Sequence, residues 1–136
     1  MTASAPFRKI VVYGAGGNNI GFYVVKALIA DSDFKVTVLA RSSSKSTYPS
    51  GVKLVRVGDD LPHDELVKAF RGQDAVISCV GHSAKATEYK IVEAILEAGV
   101  NRFFPSEYGL NNSDPVNADL CPPVRSSVQQ CCASIC

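Results

Sequence analysis

A glycine-rich segment near the amino terminus constrains the fold more than any other feature of the sequence. The string VVYGAGGNNIG, residues 11–21, places four glycines within eight positions, directly after a short apolar run. Glycine adopts backbone angles that other residues avoid, and its bare main chain lets another molecule lie against it. Because the first amide groups of a helix are free to bind anions, a turn of this kind between a strand and a helix predicts a phosphate site.

The segments that surround this turn alternate between strand-like and helix-like patterns. Apolar residues recur at helical spacing after Asn19 and again from Ala84 to Ala98, and a third helix is predicted from Pro62 to Phe70. Five β-like runs separate or flank these helices: KIVVYG, KVTVLA, VKLVRVG, DAVISCVG and NRFFPSEYG.

This alternating order predicts an α/β fold, a Rossmann-type doubly wound parallel sheet of about five strands, because each right-handed crossover places its helix on a face of the sheet. We assign residues 1–110 to this NAD(P)-binding domain. The periodicity stops after Leu110, and residues 111–136 are predicted to form an irregular tail that contains cysteine and proline.

The glycine spacing departs from the dinucleotide-binding pattern GxGxxG. Gly14 and Gly16 fit its first half, but Asn19 occupies the sixth position and the closing glycine comes at Gly21. In the spacing GxxGxxG, from Gly14 through Gly17, the third glycine arrives one residue late. A longer loop accommodates this, with one of the two intervening asparagines in a turn or capping position. The strand before the turn and the helix after it favour cofactor binding over a purely structural turn.

The residues after the second strand indicate which dinucleotide is bound. An acidic side chain there favours NAD, whereas an arginine accommodates the additional phosphate of NADP. The strand is followed by Arg41 and Ser42, with Lys45 nearby, whereas Asp31 and Asp33 precede the strand and are expected at the opposite edge of the sheet. Because a guanidinium binds phosphate through two parallel hydrogen bonds, we predict NADP. The alternative is an exposed arginine in a polar loop.

Composition excludes several classes of partner. The net charge is +1 and the basic residues are scattered, so we expect no nucleic-acid contact. The apolar runs are shorter than the ~20 residues of a membrane span, and no leader pattern is visible, which predicts a cytoplasmic protein without a membrane partner. Four of the five cysteines lie in the last sixteen residues, a spacing typical of neither a disulfide framework nor a zinc site, so we predict no metal.

Five strings carry a family resemblance: GAGGNNIG, VLARSSS, VGD, DAVISCVG and, most specifically, AGVNRFFPSEYG. Together they resemble the NmrA-like, isoflavone-reductase-like group of atypical short-chain dehydrogenases, over roughly Lys9 to Leu110. The resemblance implies the NADPH-binding part of an oxidoreductase that reduces a small phenolic or quinone-like molecule by hydride transfer.

The resemblance also implies a set of cofactor contacts. The glycines would line the pyrophosphate, Arg41 the adenosine phosphate and Asp59 the adenine, while Gly81 and His82 would border the nicotinamide ribose and residues 105–107 would approach the ring. Structural alternatives are a helix cap for Asp59 or Asp60, a loop position for His82 and a surface ion pair for Glu107. The predicted site comprises Gly14, Gly16, Gly17, Asn18, Asn19, Ile20, Gly21, Arg41, Ser42, Lys45, Asp59, Gly81, His82, Pro105, Ser106 and Glu107.

No catalytic residue is assigned. None of the five tyrosines has a lysine four positions later, so the YxxxK pair of ordinary short-chain dehydrogenases is absent. The resembled family has a lysine beyond the fifth strand, whereas this sequence has none after Lys90. Ser106 and Tyr108 are the remaining candidates for a proton donor, although neither has a visible partner to tune it.

The string CPPVRSSVQQCCASIC differs from the family continuation, and we expect the chain to be truncated before the substrate-binding part. A sheet edge exposed in this way favours association and predicts a possible homodimer. The alternatives to an impaired reductase are a non-catalytic NAD(P) sensor and a nonfunctional fragment.

Overall fold

The computed structural model describes residues 6–109, which form a five-stranded parallel sheet with strand order β3-β2-β1-β4-β5. The strands are β1 (Lys9–Tyr13), β2 (Lys35–Arg41), β3 (Lys53–Val57), β4 (Ala75–Ser78) and β5 (Arg102–Phe104). The helices are α1 (Ile20–Ile29), α2 (His63–Phe70) and α3 (Glu88–Ala98), and a 3₁₀ helix, His82–Thr87, precedes α3. The Rossmann-type fold is therefore confirmed. The predicted tail, residues 111–136, lies outside the described residues.

The central strands are buried on both faces, as a parallel sheet covered by helices requires. Ile10 and Val12 of β1 pack with Val25 of α1 on one face. Val11 packs with Phe70 of α2 on the other face, where α3 also contributes buried side chains. Each fully buried aliphatic or aromatic side chain stabilises the fold by about 1.5–3 kcal/mol. The two apolar layers hold the carboxyl ends of β1, β2 and β4 side by side.

Two helix starts differ from the sequence prediction. Pro62 is not in the first turn of α2 but precedes it as the N-cap residue, with an extended ψ of 133°. No side-chain hydrogen bond caps this helix, so the capping alternative for Asp59 or Asp60 is wrong. The segment predicted as one helix from Ala84 begins instead as the 3₁₀ helix and becomes α-helical only at Glu88. At the other end Gly99 adopts a left-handed φ of 72°, which confirms the predicted stop.

Asp74 ties the start of β1 to the loop before β4. Its Oδ2 accepts the backbone N–H groups of Arg8 and Lys9, both at 2.8 Å. These two hydrogen bonds lower the pKa of the Asp74 carboxyl, and the one from Lys9 contributes more than the one from Arg8. Because the backbone N–H of Asp74 also donates to the Lys9 carbonyl at 2.8 Å, this residue fixes the register of the two strands.

We expect Asp74→Asn to destabilise the protein at neutral pH by about 1 kcal/mol, since a neutral amide oxygen accepts these bonds more weakly and the site is partly solvated. A carboxyl whose pKa is lowered in the folded state contributes stability above its unfolded pKa of about 3.9 and loses it as the pH falls through the folded value. The difference from wild type should therefore shrink toward about pH 3. Urea unfolding at neutral pH and at about pH 3 measures this difference in stability, with Asp33→Asn as an exposed control. A difference that does not change with pH would contradict the stabilising role of the ionised Asp74 carboxylate.

Candidate functional site

A cleft of about 250 Å³ opens at the carboxyl edge of the sheet, lined by residues that follow β1, end β2 and follow β4. The strand order reverses at this place, because β2 lies on one side of β1 and β4 lies on the other. Ligands of doubly wound sheets bind at such a switch point. Of the predicted site residues, the cleft is lined by Gly14, Gly16, Asn19, Arg41 and Gly81.

Two glycines shape the turn after β1 by close packing. Gly14 has a φ of +86°, and a Cβ added there would lie 2.7 Å from the carbonyl carbon of Cys79. A Cβ on Gly21, in the first turn of α1, would lie 2.5 Å from the Gly14 carbonyl oxygen. Gly17 differs, since its φ is +80° but nothing lies within 4 Å of an added Cβ. Gly14 and Gly21 therefore let the backbones meet, whereas Gly17 leaves the outer side of the turn open.

The two asparagines of the turn have different partners. Asn19 is the N-cap of α1: its Oδ1 accepts the N–H of Phe22 at 3.4 Å and its Nδ2 donates to the Gly14 carbonyl at 3.2 Å. This confirms the predicted capping asparagine. Asn18 instead accepts the hydroxyl of Tyr23 at 3.1 Å on the surface, and the exposed Ile20 starts α1. Asn18 and Ile20 do not line the cleft, nor do Gly17 and Gly21.

Arg41 is the last residue of β2, and its exposed side chain lines the cleft. Its guanidinium makes no hydrogen bond to another residue in the described range, 6–109. Ser42 is turned away from the cleft, because both its N–H and its hydroxyl donate to the Val57 carbonyl, at 2.8 and 2.9 Å. Lys45 is exposed outside the cleft lining. The described structure therefore leaves the Arg41 guanidinium available to an anion.

Asp59 lies beyond the cleft lining, where it supports the loop that follows β2. Its Oδ1 accepts the N–H of Ser43 at 2.9 Å. Hydrogen bonds from Ser43, and to a smaller degree the charge of Arg41, lower the pKa of this carboxyl. Asp59 is therefore ionised at neutral pH and holds the backbone two residues beyond Arg41.

The loop between β2 and β3 forms a wall of the cleft that the sequence did not reveal. Ser44 Oγ and the Tyr48 hydroxyl are 3.1 Å apart, and Tyr48 packs on the core. Ser46 lies so near the glycine turn that a Cβ on Gly16 would be 2.5 Å from its Oγ. A polar loop without periodicity carries no signal for such a contact, since the contact joins segments distant in the sequence.

The segments after β4 and β5 meet at the far end of the cleft. Gly81 lines it with nothing within 4 Å of an added Cβ, and His82 starts the 3₁₀ helix. Residues 105–107 do not line the cleft, but the Ser106 hydroxyl donates to the carbonyl of Val80, which does, at 2.8 Å. Glu107 makes no ion pair with any cation whose side chain the structure describes, a set that leaves out Lys85 and His82. The surface-pair alternative for Glu107 is thus not observed there.

Glu88 carries a buried carboxyl group that the sequence reasoning missed. It is 2% exposed, and its Oε1 accepts the N–H of Ser106 at 2.9 Å, while its Oε2 has no hydrogen-bond partner within the described part of the chain. A signal was present, because Glu88 is in helical phase with Ile91, Val92 and Ile95 of the buried face of α3. Glu88 thereby positions the segment after β5.

Cys79, which lines the cleft, contacts Tyr108, which does not: Sγ and the phenol oxygen are 3.7 Å apart. Burial raises the pKa of both groups. Cys79 is therefore a neutral thiol at neutral pH and lacks the thiolate that a nucleophilic cysteine needs. Tyr108 likewise keeps its proton.

Among the described side chains of residues 6–109, which do not include His82, no group of three or more His, Cys, Asp or Glu residues lies close enough together to hold a metal ion. In the same range, no helix combines the length and apolar character needed to cross a membrane.

Comparison with known proteins identifies the family. The NmrA-like family matches residues 6–120, which is most of the chain. The chain belongs to the NmrA-like family. This finding confirms the resemblance carried by the five strings. Among curated relatives of this NmrA-like chain, oxidoreductase aprR of Aspergillus flavus is 50% identical over 101 residues, which cover 74% of the chain and 34% of that protein.

Other NmrA-like relatives come from plants. Phenylcoumaran benzylic ether reductase Betv6 of Betula pendula is 43% identical over 121 residues, covering 81% of the chain and 38% of that protein. A crystal structure of isoflavone reductase superposes with a TM-score of 0.72 at 31% identity, covering 91% of the chain and 45% of that structure. A leucoanthocyanidin reductase–NADPH complex from Vitis vinifera superposes with a TM-score of 0.76 at 25% identity. The match covers 93% of the chain and 46% of that structure. The NmrA-like chain thus spans less than half of each of these proteins.

Proposed function

We propose that this NmrA-like chain binds NADPH in the cleft between β1 and β4, as the cofactor-binding part of a reductase that acts on a small phenolic or quinone-like molecule. The observation that carries the proposal is the Arg41 guanidinium, which lines the same cleft as the glycine turn and has no described hydrogen-bond partner. None of the described residues that line the cleft is an aspartate or a glutamate. The lining therefore favours a ligand that carries phosphate groups.

The residues fit the cofactor at three points. The open side of Gly17, in the turn before α1 and outside the cleft lining, can receive the pyrophosphate, since an added Cβ there meets no atom within 4 Å. Arg41 would hold the phosphate of the adenosine ribose, and the open backbone at Gly81 would admit the nicotinamide ribose. NADPH would supply a hydride, and this chain's residues would bind and orient it. The contacts predicted for Lys45, Asp59, His82 and residues 105–107 remain proposals.

The names of the relatives support this proposal. The matched leucoanthocyanidin reductase is a complex with NADPH, and the Betula protein is named for reduction of a phenylcoumaran ether. Because the chain spans only 38% of the Betula protein, the substrate and the complete reaction are proposals.

A second candidate function is a nucleotide sensor that binds NADPH without turnover. The observation that favours it concerns a candidate proton donor: the Ser106 hydroxyl is already donated to the Val80 carbonyl. Tyr108 retains its proton and is the remaining candidate. General acid catalysis needs a group positioned at the substrate, which a sensor does not require.

Binding and turnover separate these functions. The full chain is titrated with each nucleotide, and binding is monitored by the fluorescence of the reduced nicotinamide. We expect the Kd for NADPH to be roughly 10-fold or more below the Kd for NADH, because one charged hydrogen bond contributes about this factor to affinity. Absence of affinity for both nucleotides at millimolar concentration would refute the proposal. NADPH oxidation with a panel of quinones and enones then distinguishes a reductase, which turns over, from a sensor, which does not.

A further inference from the structure

One guanidinium holds the loop that carries the proposed phosphate-binding arginine. Arg56 lies on β3, opposite Ala40 of β2 in the register of the sheet. Its Nη1 lies within hydrogen-bond distance of three backbone carbonyl oxygens of this loop: 3.2 Å from Arg41, 3.4 Å from Ser42 and 2.9 Å from Ser44. The loop backbone therefore converges on a single cation.

The amide groups of the same loop are also held. The Ser43 N–H donates to Asp59 Oδ1 at 2.9 Å, and the Ser42 N–H donates to the Val57 carbonyl at 2.8 Å. Residues at and just beyond the end of β3 thus fix both the donors and the acceptors of the loop. Arg41 is the last residue of β2 and directly precedes this loop, so its backbone is set before any ligand arrives.

We propose that Arg56 is a positioning residue that determines the preference for NADPH over NADH. It acts by fixing the loop through which Arg41 reaches the phosphate of the adenosine ribose, and this inference rests on the proposed function. A binding group that is already ordered loses less conformational freedom when its ligand binds. This ordering should strengthen the binding of NADPH and not that of NADH, because NADH lacks the phosphate that Arg41 would hold.

The test compares nucleotide affinities of the full chain and its variants. We expect Arg56→Gln to weaken NADPH binding roughly 5- to 10-fold and NADH binding less than about 2-fold, as loss of a charged hydrogen-bond donor predicts. Arg56→Lys retains a cation and should recover part of the affinity. Lys53→Gln is the matched control, because it removes a positive charge from β3 without touching the loop, and it should leave both affinities unchanged.

A double variant distinguishes positioning from direct contact. Because Arg56 acts through Arg41, the Arg41→Ala/Arg56→Gln protein should bind NADPH no more weakly than Arg41→Ala alone. If the losses of NADPH affinity in the two single variants multiply in the double variant, the positioning role is overturned. Equal losses of NADPH and NADH affinity in Arg56→Gln would also overturn it, as would a loss in Lys53→Gln as large as that in Arg56→Gln. Circular dichroism verifies that each variant is folded.

The two proposals fail differently. A wild-type chain that binds neither nucleotide refutes the proposed function and this inference with it. A wild-type chain that prefers NADPH, with the preference unchanged in Arg56→Gln, refutes this inference alone.

Discussion

Replacing Arg41 with alanine is expected to weaken NADPH binding roughly 10- to 100-fold, the range of a lost charge-assisted contact, and to leave NADH binding nearly unchanged. The guanidinium lines the cleft and has no hydrogen-bond partner among residues 6–109, so its removal leaves no buried group unpaired in the protein. The substitution should therefore lower the affinity for NADPH without lowering the stability of the fold. Selectivity follows because only NADPH carries the phosphate that distinguishes the two nucleotides.

Fluorescence titration of both nucleotides measures this effect, with Arg71→Ala as the control. Arg71 follows α2 outside the cleft lining, so its removal changes the net charge equally without reaching the site. Similar losses for NADPH and NADH in Arg41→Ala would contradict the assigned role. An Arg71→Ala effect as large as that of Arg41→Ala would indicate general charge attraction instead.

Replacing Gly14 with alanine is expected to destabilise the fold by roughly 2 to 5 kcal/mol. Two costs add: a residue with a Cβ is strained at a φ of +86°, and the new Cβ would lie 2.7 Å from the carbonyl carbon of Cys79. The obstructing atom belongs to the backbone just after β4, which is held by a 2.7 Å hydrogen bond from the Cys79 N–H to the Tyr13 carbonyl. The strands would have to separate to make room.

Chemical unfolding followed by circular dichroism measures this cost, and Gly51→Ala is the matched control. Gly51 has a φ of +92° with nothing within 4 Å of an added Cβ, so alanine there incurs only the left-handed strain, about 1–2 kcal/mol. If the two variants lose the same stability, the close approach between the turn and the strand end contributes nothing. A larger loss for Gly14→Ala confirms that the cleft floor depends on this contact.

Local sequence patterns account for much of the site. Runs such as KIVVYG predict strands because β-branched side chains buried on both faces suit a parallel sheet. The glycine turn, the capping Asn19 and the stop at Gly99 follow from backbone conformations that few residues adopt. Arg41 was predicted from its place at the end of β2, since the carboxyl ends of parallel strands share one edge. These features depend on neighbours along the chain, which the sequence shows directly.

Tertiary structure decided which polar side chains face the cleft. Ser42 was predicted beside the phosphate but donates to Val57, and Asp59 supports the loop backbone at Ser43. Arg56 acquires its role because the register of β3 against β2 brings it to three carbonyl groups. Side-chain direction at a strand end depends on which strand lies alongside and at what register, and these pairings join residues far apart in the sequence. Strands and glycine turn could therefore be predicted from the chain itself, whereas the polar network around Arg41 exists only once the sheet has assembled.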